Sequence, residues 1–175
     1  MALTLVLGGA RAGKSGLAVR LASGWGVPVV VVATAEPRDE EMRTRIARHR
    51  AGRPPAWVTV EEPRDLEGAL SRIPPGSGVI IDCLTLWVSN LMESGLSDAE
   101  IAARAGSAAE LAAHGRTVAV SNEVGAGIVP IEPSARRYRD LLGSVNATWA
   151  DAAKRAWFLV AGKVLPLGDP PEVDA

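Results

Sequence analysis

Short apolar runs alternate along the chain with longer amphipathic stretches, and that alternation predicts the elements. Leu3–Leu7 reads as a buried strand that enters a glycine-rich turn, and Lys14–Ser23 follows as a helix. Val27–Thr34 is an almost unbroken β-branched run, suited to a strand covered on both faces. Glu36–Arg50 is predicted helical, with Met42, Ile46 and His49 at i, i+4 and i+7, so the imidazole shares a stripe with the apolar pair. Gly52-Arg53-Pro54-Pro55 ends it. Trp57–Val60 is a short strand, and Pro63–Ile73 a helix stopped by Pro74-Pro75-Gly76. Val79–Asp82 is an apolar strand that closes on a carboxylate. Leu84–Met92 and Ser97–Ala113 read as helices, Thr117–Ser121 as a strand, and Asn122–Pro130 as a loop. Ser134–Arg155 is the longest helix, its core stripe running through Tyr138, Leu141, Leu142, Val145 and Trp149. Ala156–Ala161 is the last strand, and the Pro- and Asp-rich tail from Gly168 is expected to be loose. Strand and helix alternate with neither repeat nor linker, which predicts an α/β fold: a single domain over 1–175 with a mostly parallel sheet and helices on both faces.

The turn after the first strand carries the clearest chemistry. Gly8, Gly13, Lys14 and Ser15 match the phosphate loop G-x-x-x-x-G-K-S/T, with a strand before and a helix after, as that motif requires. Its glycines let backbone N–H groups curl around phosphate oxygens, Lys14 can reach the β- and γ-phosphates, and the Ser15 hydroxyl can hold Mg²⁺. Asp82, at the end of an apolar strand, is the expected second magnesium position. The motif fixes a nucleoside triphosphate with Mg²⁺ as ligand and leaves the reaction open.

Composition narrows the class. The 175 residues suffice for one domain with a substantial core, and a net charge of −1 argues against a general nucleic-acid or membrane-surface binder. A single cysteine, Cys83, excludes an internal disulfide framework and a thiol zinc site and suits a reducing, cytoplasmic setting. The longest apolar run, Val27–Ala33, is far too short to span a bilayer, and no signal peptide is expected because the first strand already feeds the phosphate loop.

Of two histidines, His49 lies among arginines at 45, 48, 50 and 53 near the end of its helix. Two readings stand for it. A cation at a helix C-terminus is favoured by the dipole; alternatively, a neutral imidazole beside guanidinium groups can attack phosphorus while they hold the leaving phosphates. His114, beside Gly115, fits the first reading and is given no role. Glu123 is either an acid/base or magnesium contact or a structural loop carboxylate. The five tryptophans read as core or subunit contacts, and Cys83 as a small buried hydrophobe. No N-K-x-D segment of the kind that reads guanine in G proteins is present.

The segments GGARAGKS, ATAE, DEEMRTRIARHRAGRP, IIDCLT, SNEVGAGIVP and RRYRDLLGSVNATWADAAKRAWFLVAGK, in that order, resemble the bifunctional adenosylcobinamide kinase / adenosylcobinamide-phosphate guanylyltransferases. The likeness runs from Leu3 to Lys163, and R-I-x-x-H-K/R-x-G-R-P and S-N-E-V-G-x-G-I-V-P are its most specific parts. It implies a RecA-like phosphate-loop fold and a two-step activity: phosphorylation of adenosylcobinamide by ATP or GTP, then transfer of GMP from GTP through a guanylyl-histidine to the corrinoid phosphate. The family's histidine falls on His49, with Lys14 as the other catalytic residue. Its nucleotide contacts fall on Gly8, Gly9, Ala10, Arg11, Ala12, Gly13, Lys14 and Ser15, on Ala33, Thr34 and Ala35, on Arg50, Ala51, Gly52 and Arg53, on Glu61 and on Asp82. Ser15 and Asp82 would hold Mg²⁺, and Arg50 and Arg53, selected by the resemblance, would hold the leaving pyrophosphate. The expected partners are the corrinoid substrate and further copies of the chain in a homotrimer, with no nucleic acid and no membrane span. Two departures stand out: Asp82 where a longer Glu is expected, and Arg48 in place of a second His. The alternative is another phosphate-loop small-molecule kinase that forms no covalent nucleotidyl intermediate.

Overall fold

Alternate residues of the first strand point to opposite sides of the sheet, and each set is buried, which places that strand in the middle of the molecule. A computed structural model describes residues 2–169. In chain order the elements are β1 (Leu3–Gly8), α1 (Lys14–Ser23), β2 (Val29–Ala33), α2 (Glu40–Ala51), β3 (Val58–Glu61), α3 (Leu66–Ser71), β4 (Gly78–Asp82), α4 (Leu84–Glu93), α5 (Asp98–Ala113), β5 (Arg116–Val120), α6 (Pro133–Ala152), β6 (Arg155–Val160) and β7 (Lys163–Leu167). They form one seven-stranded sheet in the order β3-β2-β4-β5-β1-β6-β7, parallel except for β7, which runs antiparallel to β6. The α/β class with a mostly parallel sheet is as the sequence pattern predicts.

Two apolar layers lie on the two faces. Leu3, Leu5, Leu7 and Ile81 pack with Trp87, Ile101, Leu142 and Trp149 under α3 to α6. On the other face Val6, Val31, Ile80 and Val118 pack with Leu17 and Ala18 of α1, and Trp25, Trp57 and Trp157 close the margin. Trp87 and Trp149 are thus core residues, and the other three tryptophans are half-buried at the core margin. α2 stands apart: it buries no residue and lies over the C-terminal edge of the sheet, where Ala33, Asp82 and Val120 come into register. That edge is where parallel α/β sheets present their ligands.

Several boundaries differ from the sequence pattern. α2 starts at Glu40, four residues after the expected Glu36, because Asp39 is extended and its carboxylate accepts the Met42 N–H at 2.7 Å as N-cap. α3 is shorter than predicted, opened by an Asp65 cap on Gly68 N–H at 3.0 Å. α6 stops at Ala152, and Arg155, expected to be helical, pairs with Thr4 in the sheet. β7 was absent from the sequence pattern. It returns from β6 through Ala161-Gly162, whose φ values of 49° and 74° make the two-residue turn that suits a twisted hairpin. The tail expected to be loose from Gly168 falls outside the described residues from 170 onward. No described helix is long and apolar enough to cross a membrane.

Candidate active site

The turn from β1 to α1 curls because two of its glycines hold conformations other residues avoid. Gly8 (φ 149°) lies so close to β6 that a Cβ would sit 2.5 Å from the Leu159 carbonyl oxygen, and Gly13 has φ 100°. Lys14 opens α1 with its side chain folded over the turn, Nζ donating to the Gly8 carbonyl at 2.9 Å and to the Gly9 carbonyl at 2.7 Å. Burial lowers its pKa, against the opposing pull of Cys83 and Asp82. The ammonium is therefore positioned and poorly hydrated, ready to exchange carbonyl partners for phosphate oxygens.

Asp82 ends β4 beside this turn. Its Oδ1 accepts from the Ser15 hydroxyl at 3.3 Å, while its Oδ2 lies 3.2 Å from His49 Nδ1 and 3.5 Å from Arg53 Nη2. Burial alone would push this carboxyl up; the hydrogen bond and charge of His49, the Arg53 guanidinium and the Ser15 hydroxyl outweigh it and hold the group below the ordinary aspartate range. Asp82 is thus an anion framed by donors on both of its oxygens.

α2 roofs the edge and divides it into two cavities. The first, about 600 Å³, has the phosphate loop as its floor, with Arg11, Gly13, Lys14 and Ser15, and Glu41, Thr44, Arg45 and Arg48 of α2 above it. The second is smaller and more apolar, lined by Ala33, Ala35, Met42, Ile46, Thr59 and Leu86 together with Arg50, Arg53 and Glu61. Arg45, His49, Asp82 and Cys83 line both. His49, with its side chain 29% exposed, stands at the junction. Within the second cavity Arg53 Nη1 donates to Thr59 Oγ1 at 3.2 Å, and Arg50 pairs with Glu61 at 3.4 Å.

Most of the expected site residues therefore meet, in two groups bridged by His49. Some do not. Thr34 is fully buried and its hydroxyl bonds Cys83 on both sides, so it presents nothing to a ligand. Ala51 and Gly52 line neither cavity, Gly52 serving as the C-cap of α2. Gly8 and Gly9 turn carbonyls toward Lys14, and Ala10 lies exposed at the crest of the turn. Arg45 and Arg48, and not Arg50 and Arg53, lie over the phosphate loop: helical spacing puts 41, 44, 45 and 48 on one stripe and 42, 46, 49 and 50 on the next. Glu123 lines neither cavity; its carboxylate accepts the Gly125 N–H at 2.5 Å and its own N–H donates to the Gly8 carbonyl at 3.2 Å, so it shapes the loop beside the turn. His114 is the C-cap of α5, as expected of a helix-end residue. Asn122, which the sequence did not single out, lines the first cavity, its N–H bonded to Thr85 Oγ1 at 2.7 Å and its carbonyl to Asn146 Nδ2 at 3.0 Å. Its one signal was position: it follows β5 at the edge where Asp82 ends β4.

The donor chemistry suits magnesium. The Ser15 hydroxyl and the Asp82 carboxylate are hard oxygen donors 3.3 Å apart beside the phosphate loop. Among the described residues no group of three or more His, Cys, Asp or Glu side chains could cage a metal alone. Such a site fits an ion that arrives with substrate phosphates.

The family model described as cobinamide kinase / cobinamide phosphate guanyltransferase matches residues 4–167. A bifunctional adenosylcobalamin biosynthesis protein, CobP, of Pseudomonas aeruginosa is 45% identical over 171 residues, covering 95% of this chain and 98% of that protein. Bifunctional adenosylcobalamin biosynthesis proteins named CobU are 39% identical in Escherichia coli K12 and 36% identical in Salmonella typhimurium LT2, each match covering 91% of this chain and 96% of the relative.

Proposed function

The chain belongs to the cobinamide kinase / cobinamide phosphate guanyltransferase family, and from that premise we propose that its two adjoining cavities carry out both reactions with His49 as the covalent relay. The protein is a bifunctional enzyme of adenosylcobalamin biosynthesis that uses nucleoside triphosphates. The observation that carries the relay is the place of His49, on the wall shared by the phosphate cavity and the smaller apolar cavity. A triphosphate seated on the loop with its base in the second cavity has its α-phosphorus at that junction.

In the kinase step the turn amides and Lys14 hold the β- and γ-phosphates, and the corrinoid alcohol attacks the γ-phosphorus. Here the protein acts by positioning and by neutralising charge. Ser15 and Asp82 would hold Mg²⁺, which would supply positive charge to offset that of the phosphates. In the guanylyl step His49 faces the α-phosphorus, and Arg45 and Arg48 lie where pyrophosphate departs. The apolar walls of the second cavity suit a purine face, and the Glu61 carboxylate can accept from the guanine N1–H and 2-amino groups, donors that adenine does not present in that pattern. The exposed apolar side chains of β7, Val164, Leu165 and Leu167, support burial between copies of the chain and a homotrimer, and the use of nucleoside triphosphates suits the cytoplasm.

Incubation with α-labelled GTP tests the relay. The expected result is one protein-bound GMP, labile to acid and stable to alkali, present in the wild type and absent from His49→Ala. Equal labelling of His49→Ala would overturn the assignment, and turnover without any bound nucleotide would leave a kinase alone.

A further inference from the structure

Asp82 makes a contact that the phosphate-loop scheme does not require. One carboxylate oxygen, Oδ1, faces the Ser15 hydroxyl, while Oδ2 faces His49 Nδ1 at 3.2 Å across 33 residues of chain. Arg53 closes on the same Oδ2 at 3.5 Å, with its side chain 10% exposed, and the ladder to β2 and β5 fixes the Asp82 backbone. The carboxylate is framed on both sides.

We propose that Asp82 is a positioning residue for guanylyl transfer, its Oδ2 accepting the Nδ1–H of His49 so that Nε2 carries the lone pair that attacks the α-phosphorus. The proposal rests on the reading of His49 as the nucleophile. A carboxylate offers only acceptors, so an imidazole nitrogen this close must be the one that carries hydrogen. A neutral ring has a single N–H; with it on Nδ1, Nε2 is bare. Asp82 thereby selects the attacking atom and fixes the plane of the ring.

The bonds and charges balance without moving a proton at the ring. The Nε2 lone pair forms the N–P bond, the bond from the α-phosphorus to its bridging oxygen breaks, and pyrophosphate leaves with that electron pair. The ring keeps its Nδ1 hydrogen and becomes a cation beside the Asp82 anion. In the second displacement an oxygen of the corrinoid phosphate attacks the same phosphorus, the N–P pair returns to Nε2, and the ring is again neutral with the same hydrogen. An oriented anion stabilises the cationic intermediate, the part a buried aspartate plays beside a catalytic histidine in hydrolytic triads. α2 carries the ring to within hydrogen-bonding distance of the Asp82 carboxylate.

The test uses the small histidine count. With ¹⁵N-histidine the whole protein shows two rings, His49 and His114, and His114→Asn assigns them. At a pH where both rings are neutral, the expected spectrum has His49 protonated at Nδ1 and bare at Nε2. Asp82→Asn, whose amide can donate to Nδ1, should shift His49 toward the Nε2–H form and slow single-turnover labelling from α-labelled GTP by about 100-fold or more. Binding of GMP without divalent cation should change less than about threefold, which separates orientation from affinity, and the tautomer shift, recorded without divalent cation, separates it from loss of a magnesium ligand. Asp82→Glu should restore the Nδ1–H form and most of the rate. A wild-type His49 found mainly as the Nε2–H form, or Asp82→Asn labelling at the wild-type rate, would overturn the assignment to Asp82. A wild type that forms no bound GMP at all would instead overturn the reading of His49 as the nucleophile, a result distinct from either.

Discussion

Thr34 and Cys83 bond each other twice across the C-terminal ends of β2 and β4: the Thr34 hydroxyl donates to the Cys83 carbonyl at 2.6 Å and accepts the Cys83 N–H at 2.9 Å. The Thr34 N–H donates to the Asp82 carbonyl at 3.1 Å, and the Thr34 carbonyl accepts from Asn90 Nδ2 at 2.8 Å. Thr34 is thus a clamp that fixes the backbone on which Asp82 stands. Thr34→Val keeps the shape but strands two polar groups of Cys83, so urea unfolding should show a loss of about 1–3 kcal/mol. Both activities should fall together, since the mutation displaces a shared carboxylate. An unfolding midpoint equal to the wild type would contradict the clamp.

Lys14 separates function from folding. Its ammonium is buried and its pKa lowered by desolvation, so replacing it removes a charge that the fold tolerates at some expense. Lys14→Met should reduce phosphorylation and GMP transfer alike, each by about 100-fold or more, because both depend on the same phosphate contacts. Its unfolding free energy should stay within about 1 kcal/mol of the wild type. Loss of one activity with the other intact would contradict a single phosphate site.

The proposed reader of the base is Glu61, a carboxylate that lines the second cavity. Glu61→Ala should raise the KM for GTP in the labelling reaction by about 10-fold or more, the effect of losing a charged hydrogen-bond acceptor. It should also narrow the preference for GTP over ATP as nucleotidyl donor. An unchanged GTP-to-ATP ratio would place guanine recognition elsewhere.

The segment before α2 is tied down by charge. Glu36 pairs with Arg38 at 2.5 Å and with Arg64 at 2.9 Å, and Arg38 also reaches Glu93 and Asn90. The Arg38 hydrogen bond, helped by the Arg64 charge, holds the Glu36 carboxyl below its ordinary value. A carboxyl with a depressed folded pKa stabilises fully above the unfolded-state value, about 4.3, and loses that contribution as pH falls through the folded one. Glu36→Gln should therefore cost up to about 1 kcal/mol near neutral pH, less in high salt, and nothing below the folded pKa. Urea midpoints of the two proteins that stay equally far apart from pH 7 to pH 3 would contradict this.

How much of this could be read from residues alone varied with the physics involved. The phosphate loop and α1 were legible because turn chemistry and helix period are local, and α1 falls at Lys14–Ser23 as read. β7 was hidden because Lys163–Leu167 carries Pro166, which a sheet accepts only where the strand is an edge, and edge position is a tertiary fact. In α2 charge covers adjacent stripes, so apolar pattern gave no means to decide which arginines face the phosphate loop; the structure turns Arg45 and Arg48 there and Arg50 away. The place of Thr34 was hidden for a similar reason. The direction of its hydroxyl depends on Cys83, 49 residues distant, which no local spacing reveals.

On this reading one triphosphate spans both cavities with its α-phosphorus at His49, and a crystal structure with a non-hydrolysable GTP analogue tests that placement. The account predicts β- and γ-phosphates on the turn at Gly13–Ser15, guanine beside Glu61, and the α-phosphorus facing His49 Nε2 in line with the departing oxygen. An analogue with its base outside the second cavity, or with its α-phosphorus turned away from His49, would contradict it.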